Sequence, residues 1–244
     1  MYSYALDIYD RSQELNNNST YDIQKAQLYG LLGEEELMIN QYFSFLLRNP
    51  NQKKVVFANI QKFLDNNGIK NKTNYLIVKK SLLKTIKLNS DREDFNEMLI
   101  WLFMQNKQYK LALSQVISLD RRTKNSLSKI YEIAETFLDL KKYNLAIEAF
   151  DYVVSKGFES RLYIDAHINR LYALTKLIRD KDLESINKQY IDVIDEVGKN
   201  PYSILLLSNY AHFKAFFLDD LNEATLILEE AMDISGVQLL DLAE

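Results

Sequence analysis

The segment Lys141–Phe150 reads KKYNLAIEAF, and the segment Lys107–Val116, which lies 34 residues earlier, reads KQYKLALSQV. A tyrosine and an alanine recur at the same places in both segments, and apolar residues recur between them. The apolar residues follow one another at steps of three and four, which predicts helices. A sequence segment that recurs at a fixed interval predicts an internal structural repeat, and the repeating unit here is a pair of helices.

The composition of the whole chain agrees with long helices. Among 244 residues, 47% are apolar and 26% are charged, which excludes a disordered chain. There are only 6 glycines and 2 prolines, too few for the frequent turns of an all-β protein. No cysteine is present, so disulfides, thiolate metal sites and a cysteine nucleophile are excluded. Both prolines follow an asparagine, at Asn49–Pro50 and Asn200–Pro201, and predict helix boundaries there.

Two consecutive repeats, which begin near residues 93 and 127, share specific columns of residue types. These columns are occupied by Ile100, Phe103, Tyr109 and Ala112 in the first repeat, and by Ala134, Phe137, Tyr143 and Ala146 in the second. A 34-residue helix pair with small and aromatic residues in such columns resembles the tetratricopeptide repeat. The resemblance implies an all-α superhelix, a solenoid of about six helix pairs built from about thirteen helices of 12–19 residues.

The same columns can be followed, less regularly, over residues 1–244, which predicts a single tetratricopeptide-like solenoid. The best repeats are 19–50, 93–126, 127–160 and 202–236. The small-residue column of the second helix reads Ala5, Met38, Val78, Ala112, Ala146, Ile186 and Ala224, with two intervals of 40 residues. Neither end has a polar capping helix, and apolar Val237, Leu239, Leu240 and Leu242 close the chain. We therefore expect a fragment of a longer repeat protein, whose open ends would favour an artificial dimer.

Charge is distributed unevenly along the chain. Residues 48–129 hold 17 Lys and Arg against 6 Asp and Glu, whereas residues 130–244 hold 11 against 21. Lys80, Lys84 and Lys87 align on one face of a predicted helix. This basic face is either an ordinary solvated surface or a docking site for an acidic protein. A nucleic-acid site is disfavoured, because the face lacks arginines and exposed aromatic residues and the protein is acidic overall.

The sequence shows no chemistry of a catalytic or metal site. Its two histidines, His167 and His212, lie 45 residues apart, and no third ligand is spaced to join them. No H-E-x-x-H motif, nucleophile elbow or glycine-rich phosphate loop occurs. Clustered carboxylates fall in the first turns of predicted helices, where negative charge favours the helix dipole. The prediction is a protein that is not an enzyme and has no cofactor, no metal and no catalytic residue.

The resemblance implies that the first helices of successive pairs line a concave groove for an extended peptide or a partner helix. The residues that match the groove positions are Asp94, Glu97, Trp101, Gln105, Tyr131, Glu135, Asp139, His167 and Arg170. Trp101, the sole tryptophan, is the first candidate, because tryptophan is enriched in binding hot spots. The alternative is that Trp101 packs between repeats. A groove that clamps a terminal carboxylate is disfavoured, since Glu97 and Glu135 would repel it.

We therefore expect an interaction scaffold or adaptor that binds another protein or an extended peptide. The alternative is a sensor array that captures a peptide or a small ligand and changes curvature. No apolar run is long enough to insert into a membrane. The sequence of residues 91–157 also resembles that of the large envelope-associated repeat proteins of Bacteroidota. That resemblance implies a periplasmic or envelope location if the parent carries a signal peptide, and a cytoplasmic one otherwise.

Overall fold

The structure is a computed structural model that describes residues 2–16, 21–65, 72–157, 162–177 and 182–235. Within these ranges it contains thirteen α-helices and no β-strand, so the predicted all-α class and the number of helices are confirmed. One helix, at 11 residues, is shorter than predicted. The helices are α1 Tyr2–Leu15, α2 Asp22–Leu32, α3 Glu35–Arg48, α4 Lys53–Asp65, α5 Lys72–Leu88, α6 Glu93–Gln105, α7 Tyr109–Thr123, α8 Leu127–Asp139, α9 Tyr143–Val154, α10 Tyr163–Thr175, α11 Leu183–Val197, α12 Ile204–Phe217 and α13 Leu221–Ser235.

The residue contacts divide the chain into two compact units, residues 1–115 and 116–244, with the boundary inside α7. In unit 1, the helices α2 and α3 form an extensive pair, and α5 packs against both α3 and α6. In unit 2, the extensive pairs are α8 with α9 and α12 with α13, and α9 also packs against α10. Each unit therefore repeats the antiparallel helix pair. A single array over residues 1–244 stays a prediction.

The turns inside four of the pairs have the same construction. The backbone enters the left-handed region at Gly33, Lys107, Lys141 and Asp219, each of which follows the first helix of its pair. The next amide, at residues 34, 108 and 142 in three of these turns, donates to the carbonyl five residues earlier, at Tyr29, Phe103 and Phe137, over 2.7–2.9 Å. This is the Schellman arrangement that ends a helix and reverses the chain.

The predicted small-residue column lies where the helices cross. Met38, Val78, Ala112, Ala146, Ile186 and Ala224 are all buried, and only Ala5 of α1 is half-buried. The large Met38 has room because the facing residue of α2 is Gly30. A Cβ atom added to Gly30 would lie 3.0 Å from the Met38 sulfur. The sizes of the two facing residues, one on each helix, therefore together fill the space between the helices.

The two 40-residue intervals of that column have a simple structural origin. Helix α4 ends at Asp65 and α5 begins at Lys72, and α10 ends at Thr175 and α11 begins at Leu183. The other pairs join their helices through two or three residues. The predicted boundaries at the prolines are also confirmed, since α3 ends at Arg48 and a 3₁₀ turn over Pro50–Gln52 follows. The apolar C-terminal residues Val237 to Leu242 lie outside the described residues.

Replacement of Ala146 by leucine tests the close crossing in unit 2. Ala146 is fully buried in α9, so the added atoms would force the crossing apart. We expect Ala146→Leu to lower the free energy of unfolding by roughly 1–3 kcal/mol. Urea denaturation provides the measurement, and Asn144→Leu, on the exposed face of the same helix, serves as the control. An equal stability of both variants would contradict the assigned column.

Replacement of Lys141 by glycine tests the turn. Lys141 has a φ of 56°, a conformation that glycine adopts without the steric cost of a Cβ atom. We expect Lys141→Gly to raise the free energy of unfolding by about 0.5–1 kcal/mol. The adjacent Lys142, with a φ of −93°, provides the control, because glycine there gains nothing. Thermal unfolding of the two variants would decide, and a loss of stability in Lys141→Gly would argue against the turn.

Candidate functional site

In unit 1 an aromatic pair joins the first helices of two successive pairs. Trp101 of α6 lies against Phe57 of α4, with 5.5 Å between the ring centroids and a tilt of 55°. Lys53, one turn before Phe57, forms an ion pair with Glu97 and lies over the Phe57 ring. Trp101 and Phe57 are both half-buried. The tryptophan thus packs between repeats and also keeps part of its ring at the surface.

The other predicted groove residues of α6 have different roles. Asp94 forms an ion pair with Arg92 at 2.5 Å, and Arg92 also donates to the carbonyls of Leu46 and Leu47 at the end of α3. Asp94 is therefore part of the contact that holds α6 against α3. Gln105 is exposed at the last position of α6.

Unit 2 repeats this contact with different residues. The ring of Tyr131 on α8 meets Phe150 edge-on, with centroids 5.5 Å apart, and its hydroxyl accepts a hydrogen bond from the Asn169 side chain of α10 at 2.8 Å. Burial, together with the carboxylates of Glu135 and Asp165, raises the pKa of Tyr131 to about 12. Glu135, on the same helix, is exposed, and so is Asp139.

In the loosely aligned pair at 163–197, His167 and Arg170 make contacts other than the one between Tyr131 and Asn169. His167 is buried, with 8% of its surface exposed, and its ring packs edge-on against Tyr163. Arg170 donates to Asp151 of α9 and to Gln189 of α11, so its guanidinium ties three helices together. The α10 residue that does contact the α8 face is Asn169, which sequence reasoning missed.

A second residue that the sequence did not reveal is Asp120, near the end of α7. Its carboxylate accepts hydrogen bonds from the Ser126 amide at 3.0 Å and the Tyr152 hydroxyl at 2.9 Å, and it pairs with Lys156 at 3.0 Å. Burial would raise the pKa of this carboxyl, but those three partners outweigh burial and lower it. Asp120 thereby fixes the start of α8 against α9, a structural role rather than a binding one.

The predicted basic face lies on the exposed side of α5. Lys80, Lys84 and Lys87 are all exposed, and Lys80 pairs with Glu36 at 2.9 Å. Among the other apolar residues of α5, Leu82 is fully buried, whereas Ile77 and Ile86 are half-buried. Leu76 and Leu83 share the exposed side with the lysines. The face is therefore amphipathic rather than purely basic.

Two kinds of site have no counterpart in the described part of the chain. No group of three or more histidine or carboxylate side chains within it is arranged to hold a metal ion. None of its helices combines the length and the apolarity that a membrane crossing requires.

The helix pairs, their left-handed turns and their buried columns define the class: an all-α helical-repeat protein that resembles the tetratricopeptide repeat. No family model matches the chain, and no curated protein does. Similar solved structures include YrrB, described as a TPR protein with an unusual peptide-binding site, at 14% identity over 96% of this chain and 95% of that one, with a TM-score of 0.43.

Two further similar structures come from named organisms. The C-terminal part of a TPR repeat-containing protein from Cytophaga hutchinsonii is 16% identical over 100% of this chain and 95% of that one, with a TM-score of 0.44. MamA from Desulfovibrio magneticus RS-1 is 15% identical over 75% of this chain and 96% of that one, with a TM-score of 0.42. At these scores the fold assignment rests on the chain's own helix pairs.

The buried His167 predicts a pH dependence of stability in unit 2. Burial, with a further contribution from the charge of Arg170, lowers the pKa of His167 to about 4, although Glu196 and Asp151 act in the opposite direction. His167 therefore becomes protonated near pH 6.5 in the unfolded chain, but only near pH 4 in the folded chain. Folding becomes less favourable as the pH falls from about 6.5 to about 4, by about 2 kcal/mol at pH 5.

Proton NMR can measure this directly, since the chain has only two histidines. The His167 resonance should titrate near pH 4. In chemical denaturation, His167→Leu should lose the extra destabilisation between pH 6.5 and pH 5, because neither ring nitrogen has a hydrogen-bond partner among the described residues that leucine would forfeit. His212→Gln, on the exposed face of α12, should keep it. A His167 pKa near 6.5 would show that the ring is open to water.

Proposed function

We propose that the chain is a non-enzymatic scaffold that binds a segment of another protein on the exposed faces of its first helices. The observation that carries this proposal is the repeated junction between successive first helices. In unit 1 it consists of Trp101 against Phe57, and in unit 2 of Tyr131 against Asn169. Each junction places a half-buried aromatic ring at the surface of the first helices, and aromatic residues are enriched where proteins bind one another.

The charged neighbours indicate what a partner segment would present. Glu97 pairs with Lys53 beside Trp101, which leaves that junction close to neutral. In unit 2 the exposed Glu135 and Asp165 make the surroundings of Tyr131 negative. A partner segment with an apolar side chain for Trp101 and basic side chains for the Tyr131 face would satisfy both surfaces.

Trp101 offers a test that reads out the site itself. Proteins would be captured on the immobilised chain from cytosolic and from envelope extracts and then purified. Titration of a captured protein should change the fluorescence of Trp101, the only tryptophan in the chain. We expect Trp101→Ala to weaken binding by about 2 kcal/mol, or roughly 30-fold, as a hot-spot truncation does.

Two further variants separate binding from folding. Trp101→Phe keeps an aromatic contact with Phe57, so it should fold normally and weaken binding less than alanine does. Tyr202→Ala removes an aromatic ring that is exposed on the 3₁₀ turn before α12, and it should bind like the wild type. Capture that is equal for the wild type and Trp101→Ala would remove this face from consideration.

The sensor alternative needs a pocket for a peptide or a small ligand. The described candidate is a cleft of about 340 Å³ between α11 and α13, floored by α12. Its charged lining residues are Asp195, Glu223, Glu230 and Lys199, so carboxylates predominate and favour a basic side chain over a neutral small ligand. The observation therefore supports a second protein-binding surface more than a sensor.

A further inference from the structure

The cleft of unit 2 combines an apolar strip with a negative surround. Ile191 on α11 and Leu226 on α13 both line this cleft, and they are 42% and 64% exposed. Helices α11 and α13 together carry eight carboxylates and one lysine. Two lysines reduce this charge at the cleft, since Lys199 pairs with Glu230 and Lys214 pairs with Glu223, both at 2.6 Å. Asp195 has no ion-pair partner among the described residues.

The exposed face of α5 in unit 1 has the complementary composition. Helix α5 carries five lysines and no carboxylate. Leu76 and Leu83 are 51% and 47% exposed, and they alternate along the helix with Lys80 and Lys87 at steps of four and three. Lys84 and Lys87 have no ion-pair partner among the described residues. Two large apolar side chains on a basic surface helix are the features that a groove with acidic edges accepts.

The two surfaces also agree in length. On α5, seven residues separate Leu76 from Leu83 and likewise Lys80 from Lys87, and on α13 seven residues separate Glu223 from Glu230. Seven residues of α-helix span about 10.5 Å, so Lys80 and Lys87 match Glu223 and Glu230 in separation. To pair with each other, Lys80, Glu223 and Glu230 would exchange the ion-pair partners Glu36, Lys214 and Lys199 that they have within one molecule. Complementary charge at such separations steers association and fixes its orientation.

We propose that the α5 face of one molecule docks in the α11–α13 cleft of a second copy of this chain. Leu76 and Leu83 would cover the apolar strip of Ile191 and Leu226, and the lysines of α5 would meet Asp195, Glu223 and Glu230. The contact is heterologous, because each molecule uses a different surface, so association adds copies head to tail. It uses neither Trp101 nor Tyr131, and it leaves the proposed partner-binding faces free.

Sedimentation velocity on the full chain tests the proposal. The wild type should show association that grows with concentration at low salt and weakens at high salt, where charges are screened. A basic-face variant, Lys84→Glu/Lys87→Glu, should associate at least tenfold more weakly. A cleft variant, Asp195→Lys/Leu226→Lys, should do the same. All four replaced side chains are exposed, so both variants should fold.

Mixing the two variants provides the decisive measurement. The intact cleft of the basic-face variant can accept the intact α5 face of the cleft variant, so an equimolar mixture should form a 1:1 dimer although each variant alone is monomeric. The control Lys110→Glu/Lys142→Glu changes the net charge as much as the basic-face variant does, at exposed positions elsewhere, and should associate like the wild type.

Three results would overturn the proposal. A wild type that remains monomeric over a hundredfold range of concentration at low salt would leave the cleft to a basic helix of another protein. Association that persists in both variants would place the contact elsewhere on the molecule. Two monomeric variants that fail to form a dimer when mixed would show that the two surfaces do not bind each other.

Discussion

Close approach of two helices is the constraint on which each repeat depends. A single amphipathic helix pair cannot bury its apolar side chains alone, so neighbouring pairs must stack, and stacking requires that the helices of each pair cross at a short distance. The buried Ala112 and Ala146 meet this requirement with a small side chain. In the pair whose second helix carries the large Met38, the small residue is instead Gly30 on the first helix. The turns serve the same geometry, because a left-handed residue and one backbone hydrogen bond reverse the chain within two or three residues.

The periodic features could be predicted from the sequence because they are local. The thirteen helices, the boundaries before Pro50 and Pro201, and the burial of Ala112 and Ala146 all follow from residue spacing and from backbone preferences. The groove residues could be matched only where the repeat is regular. In the loosely aligned repeat around α10, His167 and Arg170 were matched to groove positions and Asn169 was overlooked, whereas the structure buries His167 and bonds Arg170 to Asp151 and Gln189. Where the repeat departs from 34 residues, residue spacing alone does not fix which side of a helix faces its neighbour.

Buried polar contacts lay beyond the reach of sequence reasoning for a different reason. Asp120 gains its three partners from the following turn and from α9, at separations of up to 36 residues. Nothing in the residues around Asp120 distinguishes it from a solvated aspartate. The same holds for His167, because the residues around it in the sequence do not indicate that its ring is buried. Long-range polar contacts depend on the finished packing, and they fix the repeats relative to one another more specifically than apolar burial does.

The uneven charge along the chain corresponds to oppositely charged surfaces on different helices. The lysines of the middle region collect on the exposed side of α5, and the carboxylates of the last region collect on α11 and α13. Each of these faces also exposes large aliphatic residues at helical spacing. Contact between Leu83 and Leu226 would remove apolar surface from water, which is favourable. Opposite charge and exposed aliphatic side chains on two surfaces of one chain are explained together if those surfaces bind each other in a second copy.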